Sequence, residues 1–215
     1  KVRDVLIRNP TNLETSLKDN TLFFVLSLIS LLGSLHLSAN AQQSIVPIDN
    51  DVRSSFDRIS TDPRVIAGLA RIEAREEEMI REQFRLTEIP APPFKEEIRA
   101  AYYLGLMQEA GLEDAYIDSE GNAIGIRRGN GDGPTFLIAA HLDTVFPEGV
   151  DTSIELRGGR YYAPGIGDDT RGLAAMLSII ETLNDSDIQT HGDIMFAANV
   201  GEEGRGDTEG DLRDL

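Results

Sequence analysis

Two apolar stretches, TFLIAA at 135–140 and DIMFAANV at 193–200, decide the fold, because each runs directly into a short polar motif. Neither alternates apolar with polar residues. Continuous apolar runs of this kind suit strands covered on both faces of a sheet. Between them, GLAAMLSIIETL at 172–183 is apolar at helical spacing. The order strand, helix, strand predicts a layered α/β sheet. In such sheets, ligands gather at the carboxyl ends of the strands. His141-Leu142-Asp143 follows the first strand, and Gly201-Glu202-Glu203-Gly204 follows the second. Pro164-Gly165-Ile166-Gly167-Asp168-Asp169 forms a glycine-rich loop just before the helix. One imidazole and up to five carboxylates are thus expected on one rim.

Upstream of these motifs, residues 63–86 predict one long amphipathic helix. Pro63 suits its first turn, with Thr61 or Asp62 as cap. The prolines at 90, 92 and 93 stop it, because proline lacks the amide hydrogen and clashes with the previous turn. A second helix is expected over 94–110, closed by Gly111 in the left-handed conformation. Short strands at 116–118 and 123–128 flank the turn-forming Glu120-Gly121-Asn122, and 129–134 is a loop. The sequence shows no internal repeat or low-complexity tract.

The first forty residues read as an address. The apolar run at 21–37 is shorter than the about 20 residues of a membrane span and is followed by Ala39-Asn40-Ala41. That pattern predicts a secretory signal over 21–41, cleaved after Ala41. A membrane anchor or a buried helix is the alternative. Residues 1–20 are expected to lie upstream of the true start or to be disordered, and 42–215 to form the mature domain. The expected location is secreted or periplasmic.

Composition narrows the function. The chain has 20 Lys plus Arg against 37 Asp plus Glu, a formal net charge of −17. This argues against nucleic acid or an anionic membrane as partner, since phosphate binding needs clustered cations. The absence of cysteine excludes disulfides, zinc–thiolate sites and cysteine nucleophiles. Imidazole and carboxylate oxygen remain as ligands, and they suit Zn²⁺ or neighbouring divalent ions. Carboxylates crowded on one rim repel unless cations neutralise them. Each motif alone has a plainer explanation: a surface His–Asp pair, acids placed at a helix start by the dipole, or a solvated Glu-Glu turn. Their coincidence at strand and helix ends favours metal.

HLDTV at 141–145, PGIGDDTRG at 164–172 and GEEG at 201–204 resemble the signature of a di-zinc metallopeptidase family. It is the family of peptidase T (tripeptide aminopeptidase), glutamate carboxypeptidase, aminoacylase and acetylornithine deacetylase. The similarity runs from about Ile66 onward. The resemblance implies a three-layer zinc-exopeptidase-like catalytic domain that cleaves peptide or amide bonds beside a terminal amino acid. It implies two zinc ions, with Co²⁺ or Mn²⁺ as alternatives. His141, Asp168 and Glu203 would be metal ligands, with Asp168 bridging. Asp143 would clamp the imidazole, and Glu202 would be the general base. Family members continue with a further acidic ligand, a lid or dimerisation domain and a late histidine. The sequence stops twelve residues after Glu203, so the chain is expected to be an inactive N-terminal part, with dimerisation reserved for the full-length protein. A deacylase or desuccinylase of N-acyl amino acids is the second enzymatic reading. A non-catalytic peptide-binding module with a relict metal rim is the third.

Overall fold

The computed structural model describes residues 47–112 and 114–204. The expected signal at 21–41 and the acidic tail beyond 204 lie outside the described residues. The elements below belong to one compact unit beginning at Asp49. Among the described residues, no helix is long and apolar enough to cross a membrane.

Helix α1 (Asn50–Ser60) opens the unit, with Asp49 accepting a hydrogen bond from the Asp51 amide. Sequence periodicity did not single it out, and the reason is visible in the structure: none of its residues is buried. Helix α2 (Pro63–Ala74) starts as expected, with proline in its first turn and the Asp62 side chain accepting from the Arg64 amide. The expected single helix over 63–86 is instead two, α2 and α3 (Glu76–Glu88), broken at Arg75 (φ −102°, ψ 14°). Both pack against helix α5 (Thr170–Asp185). That helix has 16 residues, about 24 Å at the α-helical rise, so a straight α2–α3 would outrun it. Helix α4 (Glu97–Glu109) begins later than expected, because Phe94 is held at φ 65° after the two prolines. Gly111 closes it at φ 92°, as expected.

The main sheet has the order β1 (Asp114–Ile117), β2 (Ala123–Arg127), β6 (Ile194–Asn199), β3 (Phe136–His141). β1 pairs with β2 and β2 with β6 antiparallel, while β6 and β3 are parallel. The mixed α/β class is therefore as expected. A small hairpin, β4 (Glu155–Arg157) and β5 (Arg160–Tyr162), was not foreseen. Its Gly158-Gly159 turn, both at positive φ, was the available signal.

The core gathers Tyr103 and Met107 of α4, Leu173, Met176 and Ile180 of α5, and Phe196 and Ala198 of β6. Burying one such large side chain contributes about 1.5–3 kcal/mol. Helices α4 and α5 lie on the sheet, α4 against β1 and β2 and α5 against β3. One expectation needs correction. Strand β6 is buried nearly throughout, but β3 is covered only at its end, with Phe136 66% exposed. Among the described residues it lies at the edge of the sheet, and the apolar run is not covered on both sides there.

The parallel register places His141 opposite Asn199, and the Leu142 amide donates to the Asn199 carbonyl at 2.7 Å. Both strands therefore end at the same level. The motifs that follow them have to meet.

Candidate metal centre

His141 is the last residue of β3 and is nearly buried. Its Nδ1 lies 3.0 Å from the Asp143 carbonyl and 3.3 Å from Asp143 Oδ1. Its Nε2 faces Asp168 Oδ1 at 3.0 Å. Asp143 is fully buried and spans two loops, because its carboxylate also accepts from the amides of Glu202 (3.1 Å) and Glu203 (2.7 Å). Burial alone would raise the Asp143 pKa, but the imidazole and those amides outweigh burial and hold it below its ordinary value. For His141, burial works against the proton. The carboxylates of Asp143 and Asp168 win, lifting the imidazole to about 9.

Loop 164–169 is pressed onto this site from the other side. Gly165, at φ 75°, comes so close to Thr144 that a Cβ would sit 2.6 Å from its methyl. The Asp168–Asp169 peptide bond is cis. Asp169, whose role the motifs left open, caps α5 by accepting from the Gly172 amide at 3.0 Å. It also accepts from the His141 amide at 3.2 Å. Its helix-start role and its nearness to the rim are thus one fact.

Ligand atoms of His141, Glu202 and Glu203 lie within 4.8 Å of one another. Asp168 stands beside the imidazole but outside that group. Burial raises the Glu203 pKa, and the charges of Asp168 and Glu202 raise it further. Among the described residues, no Lys or Arg ion pair reaches Asp168, Glu202 or Glu203. An imidazole and carboxylate oxygens converging at this spacing fit a divalent cation of the zinc type. Of the five residues singled out from the sequence, the structure brings all five to one rim. It places Glu202 inside the ligand group, so its separation from Glu203 as base rather than ligand comes from the motif, not from distance. His191 lies elsewhere, exposed and 3.9 Å from Asp132.

Several supporting residues escaped the sequence reading. Gln83 and Thr87 of α3 hold the 164–170 loop: Gln83 donates to the Ile166 carbonyl, and the Thr87 and Thr170 hydroxyls meet at 2.8 Å. Arg99 and Glu96 are buried behind the site. Burial holds the Arg99 pKa down at about 10, against the pull of Asp143 and Glu96. None of the four lies in a motif. Their only signal was polarity on the inward face of a helix.

The sequence profile of Peptidase family M20/M25/M40 matches residues 137–213. A LysW-lysine/LysW-ornithine hydrolase of Pyrococcus abyssi is 34% identical over 133 residues, 62% of this chain and 36% of that protein. Carboxypeptidase G2 of a Pseudomonas species is 33% identical over 84 residues, 38% of this chain and 20% of its own length. Among solved structures, aminopeptidase PepT of Bacillus cereus superposes with a TM-score of 0.51 at 27% identity, covering 60% of this chain and 37% of the other. The family indicated by the three motifs is therefore the one the comparisons find. The chain spans about a third or less of the length of these relatives.

Proposed function

We propose that the protein containing this chain is a metal-dependent hydrolase that cleaves a peptide or amide bond beside a terminal amino acid. The observation that carries this reading is the meeting of His141, Glu202 and Glu203 within 4.8 Å, over a buried Asp143 tied to all three. A pair of dications, zinc first and Co²⁺ or Mn²⁺ as alternatives, would supply carbonyl polarisation and a water of lowered pKa. His141, Asp168 and Glu203 would hold the metals. Asp143 fixes the ring tautomer and orientation by engaging Nδ1, leaving Nε2 to face the ligand. Glu202 accepts the proton of the attacking water and returns it to the leaving amine. A rim whose carboxylates meet no Lys or Arg ion pair among the described residues suits a neutral or amine-bearing substrate better than a polyanion.

A peptide is the first substrate class, supported by the likeness to an aminopeptidase structure. Hydrolysis of an acyl-type amide on an amino acid side chain or amino group is the second, supported by the LysW-lysine hydrolase relative. The test is the protein expressed from its complete gene, with zinc, against a panel of di- and tripeptides and of N-acyl amino acids. Release of a terminal residue that stops with chelator and returns with zinc supports the proposal. Chelator-insensitive turnover, or none on either panel, contradicts it. Export with cleavage after Ala41 is proposed as well, and amino-terminal sequencing of the secreted protein tests it.

A further inference from the structure

Two buried charges at the start of α4, Glu96 at its N-cap and Arg99 in its first turn, have no part in the chemistry above. Arg99 is 1% exposed, and among the described residues its guanidinium donates only to main-chain carbonyls. Nη1 reaches Leu142 at 2.6 Å, and Nε reaches Ile89 at 3.0 Å, with Nη2 on the same Ile89 oxygen. Glu96 is 4% exposed, and its Oε1 accepts from the amides of Phe94 (2.9 Å) and Gly201 (3.3 Å). Burying a guanidinium and a carboxylate is costly, and a core made only of apolar side chains would avoid that cost. What the two groups provide instead is position.

Leu142 lies between the ligand His141 and its clamp Asp143. Gly201 immediately precedes Glu202 and Glu203. Glu96 and Arg99 are three residues apart and so share one face of the helix start. Hydrogen bonds then close a circuit. From Arg99 it runs to the Leu142 carbonyl, through Asp143 to the amides of Glu202 and Glu203, and back from the Gly201 amide to Glu96. One turn of helix sets the spacing of the two metal-facing loops.

We propose that Glu96 and Arg99 are positioning residues of the metal site, acting through the Gly201 amide and the Leu142 carbonyl rather than on metal or substrate. This rests on the metal reading of that site. The requirements differ. Arg99 needs its fork, because two carbonyls on separate segments are held from different edges of one rigid plane, a spread of donors that a compact ammonium does not offer. Glu96 needs only an acceptor oxygen, which glutamine also offers.

The experiment compares Arg99→Lys, Glu96→Ala and Glu96→Gln with the wild type, each expressed from the complete gene. Zinc affinity is measured by competition with a fluorescent chelator, well below each variant's melting temperature. Metal-free melts report stability separately. Arg99→Lys and Glu96→Ala are expected to weaken zinc binding about 10–100-fold, the usual effect of losing a residue that orients a ligand. Glu96→Gln is expected to stay near wild type. Folded Arg99→Lys and Glu96→Ala proteins with wild-type zinc affinity would overturn the proposal, since only the core would then have suffered. A Glu96→Gln variant as weak as Glu96→Ala would overturn the acceptor role. Should Glu96→Ala fail to fold, Arg99→Lys decides, because it keeps charge and length. A wild type that does not bind zinc sinks the metal reading itself, a different result from bound zinc that ignores these variants.

Discussion

Two regions of this molecule are rich in the same residue types and behave differently. On the outer face of α3 and α5, Arg75, Glu78, Arg85, Glu82 and Glu181 form ion pairs, such as Arg75–Glu78 at 2.7 Å and Arg85–Glu82 at 2.6 Å. Arg85 and Glu78 are well exposed while Glu82 and Glu181 are more covered, and pairs that keep one partner in water gain little over their interaction with water. On the rim, Asp143 is fully buried, and its hydrogen-bond partners among the described residues all belong to the ligand loops. Opposite charges meet on the helices. Like charges are forced together on the rim. A protein tolerates the second arrangement only where a cation or a catalytic role compensates for the repulsion.

Substitutions can break this contrast. The largest loss of stability is expected for Asp143→Ala, which leaves two main-chain amides without their acceptor at about 1–3 kcal/mol for each group left unsatisfied. Relief of the carboxylate's own burial offsets part of this, so a denaturant titration should show roughly 2–3 kcal/mol lost, with zinc binding lost as well. Glu202→Gln separates chemistry from folding: kcat of the complete protein should fall about 10²–10⁴-fold, while the melting curve stays in place. On the helix face, Glu78→Ala should leave the denaturant midpoint unchanged within error, although it removes a 2.7 Å pair.

The smallest effect concerns pH. The Arg64 guanidinium and amide hold Asp62 at about 2, below its ordinary 3.8. A depressed carboxylate stabilises the fold above its unfolded pKa and loses that contribution as pH falls towards its folded pKa. Asp62→Asn keeps the cap on α2 but removes the titration. Its acid-unfolding curve should therefore be slightly flatter than wild type between pH 3.8 and about 2, with a small deficit in stability at pH 7 that vanishes at the acid end.

The sequence made the inner framework legible because there hydrophobic periodicity and position agree. TFLIAA and DIMFAANV became β3 and β6, GLAAMLSIIETL lies within α5, and the motifs fell at their ends. Tertiary fit was not legible. Nothing local at Arg75 announces that α2 and α3 must bend to share one short partner. Nothing in TFLIAA reveals that it sits at the sheet edge. Glu96, Arg99, Gln83 and Thr87 were missed for the same reason: a polar residue on a helix reads as solvated until its inward direction is known.

The most direct measurement is anomalous diffraction at the zinc edge, from crystals of the protein expressed from its complete gene and soaked in zinc. The account predicts a strong peak bonded to His141 Nε2, with a carboxylate oxygen of Asp168 or Glu203 in the same coordination sphere. A map with no peak at that imidazole, or with zinc only on the helix-face carboxylates, would contradict it.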